Sequence, residues 1–187
     1  MPRIALIHAT ALAVEPIRAA FARLWPPASI TNLLDDSLSS DLATAGQLDS
    51  AMIKRIEDLA RYAESGGANA ILFTCSAFGE AISLAAKRVG IPVLKPNEAM
   101  LEEAIAAGSR IGILATFQPT IPSMVEELQA LAKSRGRRID IQARHVPGAM
   151  EALAAGAGGE HDEAIQAALP ELAHCDAVLL AQFSMAR

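Results

Sequence analysis

The chain has 187 residues, 52% of them hydrophobic but only 4% aromatic, with a formal net charge of −5. That length allows one large domain or two small ones, and the acidic balance offers no basic surface for nucleic acid. No apolar stretch reaches a membrane span, no signal peptide is visible, and two cysteines in apolar or helical surroundings point to reduced thiols, so a cytoplasmic protein is expected.

In chain order, Ile4 to Ile7 read as a strand that runs into the loop His8-Ala9-Thr10. Glu15 to Leu24 read as a helix stopped by Trp25-Pro26-Pro27, and Ser29 to Leu34 as a second strand leading into an acidic, serine-rich loop from Asp35 to Asp41. Ser50 to Ser65 carry helical periodicity up to Gly66-Gly67. A buried strand, Ile71 to Thr74, then meets a turn at Cys75 and a helix from Glu80 to Val89. Pro92 to Leu94 form a short strand, and Glu98 to Ala107 a helix. The pattern begins again with strand Ile111 to Ala115, helix Ile121 to Ser134, strand Asp140 to Arg144 and helix Gly148 to Ala155. A Gly-rich loop (Gly156 to Gly159), helix Asp162 to Ala173 and strand Ala177 to Ala181 complete it. His161-Asp162 reads as an exposed helix cap.

Alternating strands and helices predict an α/β protein with parallel sheets. A shift of 107 residues lays Ile4-Ala5-Leu6-Ile7 on Ile111-Gly112-Ile113-Leu114 and Ala70-Ile71-Leu72-Phe73-Thr74 on Ala177-Val178-Leu179-Leu180-Ala181. The repeat predicts two similar α/β lobes, 1–96 and 97–187. Ligands of such sheets bind beyond the carboxyl ends of the strands, so the loops after Ile7, Thr74, Ala115 and Ala181 are expected to line a cleft between the lobes.

Cys75 stands out in those loops. A thiol at a strand-to-helix turn faces free backbone N–H groups and the positive end of a helix dipole, which favour thiolate and suit a base or nucleophile. A small buried hydrophobe is the other use of such a cysteine. His8, Thr10, Ser76, Ala77, Thr116, Gln118, Thr120, Gln182 and Ser184 share the loops. Hydroxyls, amides and helix-start N–H groups suit a carboxylate without a metal, although Thr116 and Thr120 also fit simple helix caps. The histidines and cysteines have no zinc-type spacing, and Gly156 to Gly159 follow a helix instead of the strand a dinucleotide fingerprint requires. Cys175, before the last strand, is expected to be structural.

The segment Phe73-Thr74-Cys75-Ser76-Ala77-Phe78-Gly79 resembles the first-cysteine motif of the aspartate/glutamate/hydantoin racemase superfamily. Ile111 to Thr116 followed by Thr120 is similar to its second-lobe strand and carboxylate-binding threonines, and Leu180-Ala181-Gln182-Phe183-Ser184-Met185 to the segment where many members have a second cysteine. The resemblance implies two Rossmann-like lobes with parallel sheets related by a pseudo-two-fold, cofactor-independent proton transfer at the carbon next to a carboxylate, and a homodimer. It gives Cys75 the first thiol role, amides of Ser76 and Ala77 an oxyanion-binding role, and Thr116 and Thr120 the carboxylate. Gln182 stands where the second thiol belongs, and Ser184 needs an activating neighbour to act. The expectation is therefore a racemase or isomerase of a small acid or amino acid. The alternatives are a one-cysteine lyase like arylmalonate decarboxylase, although such enzymes keep the second-lobe cysteine, and a non-catalytic binder of small carboxylates. Family members continue past Met185 with a further helix, so a longer C-terminus is also expected.

Overall fold

The first apolar run of the chain becomes the inner strand of a parallel sheet in a computed structural model, which describes residues 1–186. Strands β1 (Arg3–His8), β2 (Ser29–Leu34), β3 (Ala70–Phe73) and β4 (Val93–Leu94) lie in the order β2-β1-β3-β4. Helices α1 (Val14–Leu24), α2 (Ser37–Ala45), α3 (Ser50–Ser65) and α4 (Gly79–Ala85) connect them. These elements belong to one compact unit, Met1–Pro96, and a second unit begins at Asn97. The second unit has strands β5 (Arg110–Ala115), β6 (Asp140–His145) and β7 (Ala177–Leu180) in the order β6-β5-β7. Its helices are α5 (Glu98–Ala107), α6 (Thr120–Ser134), α7 (Ala149–Ala154) and α8 (Gly158–Ala168). Every strand pair in both sheets is parallel.

The internal repeat extends to hydrogen-bond register. Ile4 pairs with Ala70 in the first sheet and Ile111 with Ala177 in the second, so the 107-residue offset carries one strand pairing onto the other. Both inner strands are buried over five consecutive residues, Ile4 to His8 and Ile111 to Ala115. Helices therefore cover both faces, as for a parallel sheet whose strands read as unbroken apolar runs. In the second unit the alternation along β5 separates two cores. Ile111, Ile113 and Ala115 pack with Leu101, Met124 and Leu128 of α5 and α6. Leu114 points the other way, into Val146, Ala149, Ile165, Leu172 and Met185.

Three local expectations change. The acidic stretch after β2 is helical from Ser37, not a loop, because Leu38 and Leu42, one turn apart, bury together while the charged residues face outward. Arg55 of α3 braces this helix from outside, bonding Asp35 at 2.6 Å, Asp41 at 2.5 Å and the Ser37 hydroxyl at 2.5 Å. The Gly-rich stretch supplies the first turn of α8, which starts at Gly158 and gives way to a 3-10 turn at Leu169–Leu172, where Pro170 cannot continue α-helical bonding. His161 is not an exposed cap: its ring is fully buried, with Nδ1 2.7 Å from Asp162 Oδ1. Among the described residues no helix is long and apolar enough to cross a membrane.

Candidate active site

In the first unit the chemistry-bearing residues gather where β1 and β3 end. β3 delivers Thr74 and then Cys75, which precedes a 3-10 turn, Ser76–Phe78. Cys75 lines a narrow, mostly apolar recess with His8, Ala9, Leu38, Phe73 and Phe78. Its sulfur accepts from the Ala77 N–H and is hydrogen-bonded to Ser39. Burial outweighs both bonds and pushes the thiol up to about 11. The thiolate expected from the helix start therefore gives way to a thiol. The helix that follows has only seven residues, and apolar walls disfavour the charged form more than one N–H favours it.

His8 is 1% exposed and ties three strands together. Its Nε2 is hydrogen-bonded to Asn32 Oδ1 at 3.0 Å and its Nδ1 to the Thr74 hydroxyl at 2.8 Å, and that hydroxyl also donates to the Ile7 carbonyl at 3.3 Å. Both ring nitrogens therefore have a partner. Burial lowers its pKa, in opposition to the Asn32 bond. Thr10 is engaged locally, its hydroxyl accepting from the Leu12 N–H at 3.3 Å. Ser76 and Ala77 are buried, and the Ala77 amide is spent on the Cys75 sulfur.

In the second unit Gln182, just past β7, draws together two of the other candidates. Its Oε1 accepts from the Thr116 N–H at 2.8 Å and from the Thr116 hydroxyl at 3.1 Å. Its Nε2 donates to the Thr120 hydroxyl at 3.1 Å. Thr116 ends the loop side of β5 and Thr120 opens α6, and both are buried. A neutral carboxamide thus lies on the backbone and hydroxyl donors that suit a carboxylate oxygen. Ser184 is buried one residue further along the Phe183–Met185 turn and takes no part in this network. Gln118 is exposed, and its carbonyl accepts from the Ile121 N–H. Cys175 lies before β7, its sulfur 3.9 Å from His174 Nε2. Among the described residues, no group of three His, Cys, Asp or Glu side chains gathers as a metal site.

Sequence reasoning passed over Asn32, Ser39 and Thr74, which hold His8 and Cys75. None has a local signal, since their partners are 24 to 66 residues away or on another element.

Comparison with known proteins gives a consistent result. The fold is similar to that of an aspartate racemase from Picrophilus torridus (TM-score 0.72, 15% identity, covering 100% of this chain and 83% of that one). It is also similar to an allantoin racemase from Klebsiella pneumoniae (TM-score 0.68, 16% identity, 100% and 76%). A third similar structure is a glycine-to-cysteine mutant of arylmalonate decarboxylase in a sulfate-associated form (TM-score 0.59, 20% identity, 96% and 77%). No curated protein sequence matches the chain. The family model described as Asp/Glu/Hydantoin racemase matches residues 6–187, nearly the whole sequence. The chain therefore belongs to the Asp/Glu/hydantoin racemase family.

Proposed function

We propose that this protein is a cofactor-independent isomerase that acts at the carbon next to the carboxylate of a small acid or amino acid, with Cys75 as its acid/base. The observation that carries the reading is the place of the Cys75 thiol: it lies just past a strand end, among apolar walls that push its pKa up and favour the protonated form. A thiol in this state can give a proton to an enediolate-like carbon, and the thiolate that remains can take the α-proton of the next substrate, whose C–H electron pair passes into the enediolate. With the Ala77 amide held by the Cys75 sulfur, Ser76 on the same turn is the candidate for the developing oxyanion, and Thr116 and Thr120 for a carboxylate. The Gln182 amide now occupies those threonines, so a carboxylate has to displace it.

A second reading has its own support in Gln182, which provides neither acid nor base where a two-thiol enzyme has its partner cysteine. Decarboxylation of a malonate-type acid expels carbon dioxide, leaves an enediolate and needs one proton, which a single thiol can deliver. Family neighbours include both racemases and a decarboxylase.

The test is incubation with a panel of small acids and amino acids in D2O. Deuterium at the α-carbon, followed by proton NMR and absent in Cys75→Ala, supports the isomerase. Carbon dioxide release from 2-substituted malonates supports the lyase. Binding without either reaction leaves a non-catalytic carboxylate binder.

A further inference from the structure

The acidic, serine-rich stretch after β2 has no part in the reading above, yet it brings a buried hydroxyl to the candidate thiol. Ser39 lies on the inner side of α2. Its Oγ–H donates to the Ala9 carbonyl at 2.7 Å, and the same hydroxyl is hydrogen-bonded to Cys75. Ala9 and Cys75 both line the recess. A hydroxyl has one hydrogen and two lone pairs. With its hydrogen committed to Ala9, the Ser39 oxygen is left to accept from the Cys75 S–H.

The second unit indicates what this bridge replaces. The 107-residue offset places Thr116 on Ala9 and Gln182 on Cys75. There the long Gln182 side chain reaches the Thr116 N–H directly, at 2.8 Å. A cysteine is shorter by two heavy atoms, and in the first unit Ser39 joins the two loop ends instead.

We propose that Ser39 is a positioning residue for Cys75: it takes the thiol hydrogen in the resting protein, and turns its own hydroxyl from Ala9 to the sulfur once that proton has left. The inference rests on the reading of Cys75 as an acid. As the S–H bond breaks, its electron pair stays on sulfur and the proton goes to the substrate carbon. The thiolate then has two donors, the Ala77 N–H and the Ser39 O–H, in surroundings where each unmade bond to a charge is costly. Solvent water afterwards restores the thiol proton.

The test is the pH dependence of Cys75 alkylation by iodoacetamide, resolved from Cys175 by peptide mass spectrometry. It compares the unmodified protein with Ser39→Ala, Ser39→Gly and Ser39→Thr, each verified as folded by circular dichroism. Loss of the hydroxyl should raise the Cys75 midpoint by about one unit, a roughly tenfold slower reaction at any fixed pH below it. Ser39→Thr should restore the midpoint, and Cys175 should not change. Ser39→Gly gives the same comparison where the alanine variant does not fold. A midpoint that stays put or falls on loss of the hydroxyl overturns the proposal, as does a threonine variant that behaves like alanine. Turnover separates this from the enzyme reading. A raised midpoint in a protein that turns over no acid keeps the role of Ser39 and removes the enzyme, whereas turnover with an unmoved midpoint removes Ser39 alone.

Discussion

Burial acts on Cys75 and His8 in the same sense, against their charged forms, and so moves their pKa values in opposite directions. For Cys75 the expected outcome is slow alkylation at neutral pH and a rate that climbs through the alkaline range toward a midpoint near 11. An ordinary cysteine midpoint, about 8.5, would mean that water reaches the sulfur freely. His8 has the reverse linkage. Its folded pKa lies below the ordinary value of 6.5, so below that pH the unfolded chain binds more protons than the folded one. The stability it contributes is present above pH 6.5 and is lost as pH falls through the folded pKa. Urea melts between pH 7.5 and 5 should show this decline, and His8→Leu should flatten it. The leucine variant should also be weaker at pH 7.5 by about 1 to 3 kcal/mol, because Thr74 and Asn32 lose their partner.

At the scale of elements, α2 is held from two sides. Leu38 and Leu42 anchor its inner face, and Arg55 braces Asp35, just before the helix, and Asp41, midway along its exposed face. The ion pairs are partly open to solvent, so their worth is modest: Arg55→Met should cost about 1 kcal/mol, and the difference from the unmodified protein should shrink in high salt, as chemical denaturation by urea with and without added salt can measure. Leu42→Ala, by contrast, should cost about 2 to 5 kcal/mol with little dependence on salt. α2 was hidden in the sequence because two leucines among aspartates and serines give little periodicity. Its helical state depends on the surface that Leu38 and Leu42 meet and on an arginine 14 residues beyond Asp41.

For the whole molecule, the duplicated β-α pattern gives each unit its own sheet and core. Leu128 is fully buried against β5 and α5 in the second unit. Leu128→Ala should destabilise the protein by about 2 to 5 kcal/mol, and amide hydrogen exchange should show the loss of protection on β5, β7 and α6. Protection unchanged on those elements would show that the α6 face contributes little to that core.

The sequence alone determined the strands, their parallel class and the repeat. A strand buried on both faces must be apolar throughout, and that requirement is written locally in runs such as Ile4 to Ile7 and Ile111 to Ala115. It also singled out Cys75, Thr116, Thr120 and Gln182, because the ends of such strands are where side chains escape the core. Only the tertiary structure decided what those residues face. Cys75 is a thiol because apolar walls from three other segments desolvate it. Gln182 is a clasp because Thr116 and Thr120, more than 60 residues earlier, lie within its reach. Ser39 bears on the thiol only because α2 folds over the end of β1. Hydrophobic pattern is a property of neighbours in the chain, whereas protonation and hydrogen bonding are properties of neighbours in space.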